Sequence, residues 1–170
     1  AFPARWRLLR GQGMDLLRGY WFTDVGFNYR MPNLAASIGL AQLERFEESL
    51  SRRDLIAKQY DDRLADVPGL ALPGKRPEVR RVNWLYTVTV EGASLEQRDR
   101  LIHELATDGI ETRPVFHPLH HMPPYLQPDR SYPVAERLGE TGISLPTNRG
   151  LRECDITMVC NRLSQRVREV

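Results

Sequence analysis

The sequence predicts an α/β chain in which a long helical region leads into a small module of alternating strands and helices. Three observations point there. Apolar residues recur at intervals of three and four along residues 33–66, as on one face of a helix. Val67-Pro68-Gly69 then halts that pattern. Beyond it, period-2 stretches alternate with capped helical ones in the order strand, helix, strand, loop, short helix, strand, helix.

Residues 8–29, rich in Gly, Arg and aromatics, follow neither period and read as loop with short ordered pieces. Asn33 is placed to cap a helix whose apolar stripe is Leu43, Phe46, Leu50, Ala57, Tyr60 and Leu64. Unbroken to Asp66, that helix would be about 50 Å long. Residues 70–77 form a Pro/Gly-rich connector with room for one short strand, and the domain boundary is expected between residues 1–67 and 68–170. Residues 82–90 make the clearest strand, with Trp84, Tyr86, Val88 and Val90 on one face and Leu85, Thr87 and Thr89 on the other.

Ser94-Leu95-Glu96-Gln97 is a capping box for a helix ending near Asp108, and Gly109 supplies the left-handed stop. Residues 110–116 form a second strand that Pro114 confines to an edge or a bend. Pro133 suits the first turn of a short helix closed by Gly139. Residues 143–145 give a third strand, and Ile156, Val159, Leu163 and Val167 line a final helix.

Charge removes whole classes of function. With 24 basic and 22 acidic side chains the net charge is +2, so no single-sign field exists to hold nucleic acid or an anionic membrane. The uncharged stretch 34–43 is only about half the length that spans a bilayer, and no basic-then-apolar leader pattern opens the chain, so a soluble protein is expected. Cys154 and Cys160, six apart in one helical segment, build neither a disulfide framework nor a zinc knuckle, and a reducing cytosol suits them. The opening at Ala1 reads like the interior of a longer protein.

Two segments concentrate chemistry. Gly26-Phe27-Asn28-Tyr29-Arg30-Met31-Pro32-Asn33 sets two amides, a phenol and a guanidinium before a helix N-terminus, a setting that suits an anion and equally an ordinary capped helix. Residues 113–125 stiffen Arg113, Phe116, His117, His120, His121 and Tyr125 with Pro114, Pro118, Pro123 and Pro124, which fits a pre-ordered ligand rim or a structural loop. A metal site there is disfavoured, because adjacent histidines point apart in an extended loop and the nearest acid is Asp129.

Other patterns fail. Gly11-Gln12-Gly13 lacks the third glycine of a dinucleotide fingerprint, and His103-Glu104 lacks the second histidine of a zinc-protease helix. Lys58 and Lys75 are the only lysines; Lys58 falls on the charged side of the long helix and Lys75 in an exposed Pro/Gly loop, and neither has the buried setting that Schiff-base chemistry needs.

Taken together, Arg10-Gly11-Gln12-Gly13-Met14, Gly26-Phe27-Asn28-Tyr29-Arg30-Met31, Ala35-Ala36-Ser37-Ile38-Gly39-Leu40-Ala41-Gln42-Leu43, Asn83-Trp84-Leu85-Tyr86, Gly109-Ile110-Glu111-Thr112-Arg113-Pro114, Phe116-His117-Pro118-Leu119-His120 and Ser144-Leu145-Pro146-Thr147 resemble the second half of the DegT/DnrJ/EryC1/StrS sugar aminotransferases. The resemblance runs through essentially the whole chain in the family's order. It implies the C-terminal part of a fold-type-I, aspartate-aminotransferase-like enzyme: the end of the large cofactor domain with a linking helix in residues 1–67, and the small domain in 68–170. It implies a cytoplasmic homodimer that uses pyridoxal 5'-phosphate (PLP) and glutamate to aminate a keto sugar carried on a nucleotide.

By that resemblance Asn28 reaches the cofactor phosphate of the partner subunit, and Arg30 lies beside it in the substrate cleft. Arg113, Phe116, His117 and His120 line the nucleotide-sugar site. The Arg-Pro-x-Phe-His-Pro-Leu-His form is most similar to members that convert a GDP-linked 4-keto-6-deoxy sugar to GDP-perosamine. Neither Lys58 nor Lys75 matches the family's Schiff-base lysine, so no catalytic residue is assigned and the chain alone is not expected to transaminate. A non-catalytic subunit that binds nucleotide sugar or a lysine-bearing partner is the alternative, and no metal is implied.

Overall fold

The structure, a computed structural model, describes residues 2–15 and 17–169, and these fall into two compact units that divide between Phe46 and Glu47. The first unit begins with α1 (Phe2–Arg10) and continues into a turn closed by isolated bridges between Gly11 and Asn28 and between Met14 and Phe22. Two glycines permit this crossing. A Cβ on Gly13, whose φ is +73°, would lie 1.9 Å from the Asp24 carbonyl oxygen, and one on Gly26 would lie 2.4 Å from the Gly13 nitrogen.

α2 (Asn33–Glu44) follows, and Asn33 is its first helical residue and not its cap. Pro32 holds the cap position in an extended conformation, because its carbonyl already accepts the first helical bond from the Ala36 N–H at 2.9 Å. The expected single long helix is interrupted at Arg45. Its N–H turns to the Gln42 carbonyl three residues back, at 3.3 Å, and breaks the four-residue ladder before α3 (Phe46–Leu64).

The apolar stripe read from the sequence divides at the same place. Leu43 and Phe46 are exposed, whereas Ala57, Tyr60 and Leu64, joined by Ile56, are buried. These buried residues, all in the later half of α3, belong to the second unit's core.

The second unit is a four-stranded antiparallel sheet in the order β1-β2-β4-β3, with β1 (Leu70–Ala71), β2 (Tyr86–Val90), β3 (Arg113–Pro114) and β4 (Gly142–Leu145). β2 starts at Tyr86, later than the pattern suggests, and Trp84 is exposed. Its carbonyl instead receives the Thr147 hydroxyl at 2.8 Å. Pro114 sits on the edge strand, where its missing N–H costs no ladder bond.

α4 (Leu95–Thr107) carries the complete Ser94/Gln97 capping box, with bonds of 2.8 and 3.2 Å, and Gly109 follows at φ +79°. α5 (Pro133–Thr141) starts at Pro133 as read but runs through Gly139 instead of stopping there. Space explains that glycine: a Cβ on it would meet the Pro118 ring at 2.9 Å, so it marks close packing and not a helix end. α6 (Glu153–Val167) buries Ile156, Val159, Leu163 and Val167 as expected.

One polar group crosses this core. Asp61, on α3, accepts from the Tyr86 hydroxyl at 2.7 Å and pairs with Lys75 at 2.9 Å and Arg81 at 3.2 Å. Burial alone would raise the pKa of its carboxyl, but the Tyr86 hydroxyl and the two cations outweigh it and hold the value below normal. A lowered folded-state pKa adds stability above the unfolded value, near 3.9, and loses it as pH falls toward the folded one. Asp155, held at about 2 by Arg152, titrates in the same sense. The urea midpoint should therefore be flat from about pH 5 to 8 and fall below about pH 4. Asp61→Asn should flatten that fall; an unchanged slope would remove Asp61 from the account.

Candidate functional site

Two clusters present polar groups, one in each unit. In the first, the pairing of residues 27–29 with the end of α1, through Phe27 N–H to Leu9 O at 2.9 Å and Tyr29 N–H to Arg10 O at 3.0 Å, holds the turn open. Asn28 is exposed there, and its Oδ1 accepts from the Arg30 N–H at 3.4 Å, which leaves the amide Nδ2 without a protein acceptor among the described residues. Arg30 is exposed beside it. Phe27 and Tyr29 stack at 5.6 Å and flank the pair. A donor amide next to a guanidinium, on a turn before a helix N-terminus, is what a phosphate requires.

The second cluster lies at one edge of the sheet. Arg113, on β3, pairs with Ser144 of β4 in register, and its exposed guanidinium contacts Glu111 at 3.1 Å. It lines a cavity of about 470 Å³ with Ser144, Pro146, Thr147 and Asn148, so the fold brings the Ser-Leu-Pro-Thr segment to the arginine loop. Phe116 and His117 stand exposed on the same loop.

His120 behaves differently. It is 7% exposed, and its Nε2 lies 2.9 Å from Oε1 of Glu136 on α5. Its ring packs on Tyr132 at 4.7 Å and on His121 at 4.1 Å. The expectation that adjacent histidines diverge fails because residues 119–121 wind into a short 3-10 helix, not an extended strand. His120, Tyr125, Gln127 and Tyr132 also line a second cavity of about 500 Å³. His120 therefore braces the loop from beneath, whereas Phe116 and His117 face outward.

Glu136 organises this brace, and the sequence reading missed it. Oε1 accepts from the Tyr132 N–H at 2.7 Å and Oε2 from the Ser131 hydroxyl at 3.0 Å. The Tyr132 N–H, more than Ser131 or His120, holds the Glu136 carboxyl below its usual range. The local signal was weak, since Glu136 lies four residues after the cap Tyr132 and not at the capping-box position, which Ala135 holds.

The family model of the DegT/DnrJ/EryC1/StrS aminotransferases matches residues 2–164. The chain belongs to this family. It is similar to the GDP-perosamine synthase of Caulobacter vibrioides, at 48% identity over 95% of this chain and 44% of that protein. Similarity to the GDP-perosamine synthase of Escherichia coli O157:H7 is 36%, over 92% of this chain and 42% of that one. The chain thus spans less than half the length of the curated relatives it matches.

Among solved structures, the aminotransferase TlmJ from Streptoalloteichus hindustanus superposes with a TM-score of 0.85 at 30% identity, over 98% of this chain and 44% of that one. Spr1654 from Streptococcus pneumoniae, solved in PMP and PLP forms, gives 0.87 for each at 28% and 27% identity, over 99% of this chain and 45% and 44% of that one. The antiparallel sheet with its flanking helices is therefore the C-terminal part of the aminotransferase fold, and the family's cofactor is PLP.

The residues of this chain fit part of that cofactor's requirements. The unengaged Asn28 amide suits its phosphate. The covalent attachment has no fitting amine here, because Lys58 is paired with Asp62 at 2.5 Å and Lys75 with the buried Asp61.

Proposed function

We propose that the chain is the C-terminal portion of a PLP-dependent aminotransferase that aminates a GDP-linked 4-keto-6-deoxy sugar of the perosamine type, with glutamate as donor. The observation that carries this reading is 48% identity to a GDP-perosamine synthase across nearly the whole chain, and the exposed anion-facing turn and arginine loop support it. When bound, the cofactor supplies the electron sink for moving a proton between donor, substrate and cofactor carbons.

The chain's own residues bind and orient. The Asn28 amide donates to the cofactor phosphate and Arg30 adds charge beside it. Arg113 neutralises an anionic group of the nucleotide sugar, Phe116 packs on its apolar face and His117 offers a ring nitrogen to its hydroxyls. His120, tied to Glu136, keeps that rim in place. No group here takes up the covalent or base role of a lysine, so the 170 residues alone are not expected to turn over.

Partnership follows from α2. Leu34, Ile38, Leu40 and Leu43 are all exposed, and the helix has no buried residue. A helix apolar on every side is one that is buried on every side in its working state. We assign its cover to the lysine-bearing part of the enzyme and to a second subunit in a homodimer. Among the described residues no helix is long and apolar enough to cross a membrane. The free thiols Cys154 and Cys160 suit the cytoplasm.

The test is direct: the complete polypeptide, loaded with PLP, should convert glutamate and GDP-4-keto-6-deoxymannose into 2-oxoglutarate and GDP-perosamine. No amino sugar from that protein would defeat the reading. Heat of binding from a GDP sugar to a protein that never turns over would favour a non-catalytic binding subunit instead.

A further inference from the structure

The fold assembles one cluster of metal-ligating side chains, to which the aminotransferase reading assigns only the bracing of the loop. His120 and His121, next to each other in a 3-10 helix, and Glu136 on α5 each offer one donor atom, and the three donors lie within 4.8 Å of one another. His120 is buried, Glu136 is half-buried and His121 is exposed. We propose that these three residues form a binding site for a single divalent transition-metal ion of the zinc class.

The donor set selects the class. Two imidazole nitrogens and one carboxylate oxygen suit Zn²⁺ or Co²⁺, whereas Mg²⁺ and Ca²⁺ take oxygen ligands. Three protein ligands leave a fourth tetrahedral position open, and the neighbouring cavity of about 500 Å³, lined in part by His120, gives water or a small anion room to occupy it.

The supports of the cluster are those that a metal ligand needs. Glu136 is fixed by the Tyr132 N–H at 2.7 Å and the Ser131 hydroxyl at 3.0 Å, and these two bonds can persist while a carboxylate lone pair turns to the ion. His120 is gripped by the Tyr132 ring at 4.7 Å, and its backbone carbonyl accepts from the Gln127 N–H at 3.0 Å. The Nε2 of His120 and Oε1 of Glu136 share a hydrogen bond of 2.9 Å. A carboxylate only accepts, so in this bond a neutral ring carries its proton on Nε2; coordination through Nε2 moves that proton to Nδ1, and the ion takes the place of the hydrogen bond.

The geometry also says what the ion would do. It would tie the 3-10 helix Leu119–His121 to α5, whose Gly139 packs on Pro118. The rim that carries Phe116 and His117 would be stiffened from below. The site rests on ligand geometry alone and stands or falls separately from the proposed amination.

The experiment titrates the full chain, stripped with EDTA, with Co²⁺ and follows visible absorption, then measures Zn²⁺ by competition with a chelating dye. Wild type should bind one equivalent with tetrahedral cobalt bands. His121→Ala and Glu136→Gln should each weaken binding by about 100-fold, since loss of even an outer partner of a ligand costs 10–100-fold, and Cys154→Ser should change nothing. Glu136→Gln also weakens the start of α5; if circular dichroism shows that it unfolds, the exposed His121→Ala decides. Absence of cobalt bands and of stoichiometric zinc in wild type overturns the site. So does one-equivalent binding that survives His121→Ala or is lost in Cys154→Ser.

Discussion

Arg98→Ala should unfold the second unit more readily than any other single polar substitution named here. Arg98 is 1% exposed, and its guanidinium donates to the carbonyls of Gly139 and Gly142 at 3.1 and 3.2 Å. The Gly139 carbonyl belongs to the last turn of α5, where no intrahelical partner exists, so the arginine closes that helix from inside the core. Alanine leaves the Gly139 carbonyl bare, which costs about 1–3 kcal/mol. The emptied volume brings the total to about 3–4 kcal/mol.

For a chain of this size that corresponds to a fall of roughly 10 °C in Tm. Thermal melts followed by far-UV circular dichroism would read it. Lysine should rescue little, because Nη1 donates to both carbonyls while Nε donates separately to Asp99 at 2.7 Å, and one ammonium cannot occupy both donor positions. A fall of under about 2 °C would mean that water replaces the guanidinium and that Arg98 is not what holds α5.

Cofactor retention should depend as sharply on Asn28. In the complete protein, Asn28→Ala removes one oriented donor to phosphate, worth about 1.5–3 kcal/mol, which is roughly 10- to 150-fold in PLP affinity. Asn28→Asp keeps the turn's acceptor for the Arg30 N–H but sets a negative charge against the phosphate, and it should lose more than alanine does. PLP absorbance retained after dialysis distinguishes them. Equal retention in all three proteins would remove Asn28 from the phosphate site; equal loss in both variants would point to the turn and not to the amide.

Local rules made much of the fold legible. The Ser94/Gln97 box, Gly109, the apolar faces of β2 and α6, and the edge position of Pro114 each follow from neighbours within a few residues, and each is present. Errors arose where a residue's reason lay far along the chain. Gly139 resembled a helix stop but is small because Pro118 presses on it. Leu43 and Phe46 belonged to the right periodicity, yet only the later part of the stripe finds this chain's core.

The candidate site divides in the same way. Residue types and order alone were enough to indicate the aminotransferase family, the exposed Asn28–Arg30 turn and the loop of Arg113, Phe116 and His117, because a motif is a statement about which chemistries lie close in sequence. Only the tertiary structure turned His120 inward onto Glu136, brought Ser144 and Thr147 alongside Arg113, and buried Arg98 beneath Gly139. Those contacts join residues 16 to 41 positions apart, and no periodicity or spacing in a single chain encodes which buried polar group will answer which, since that choice is made by packing the helices onto the sheet.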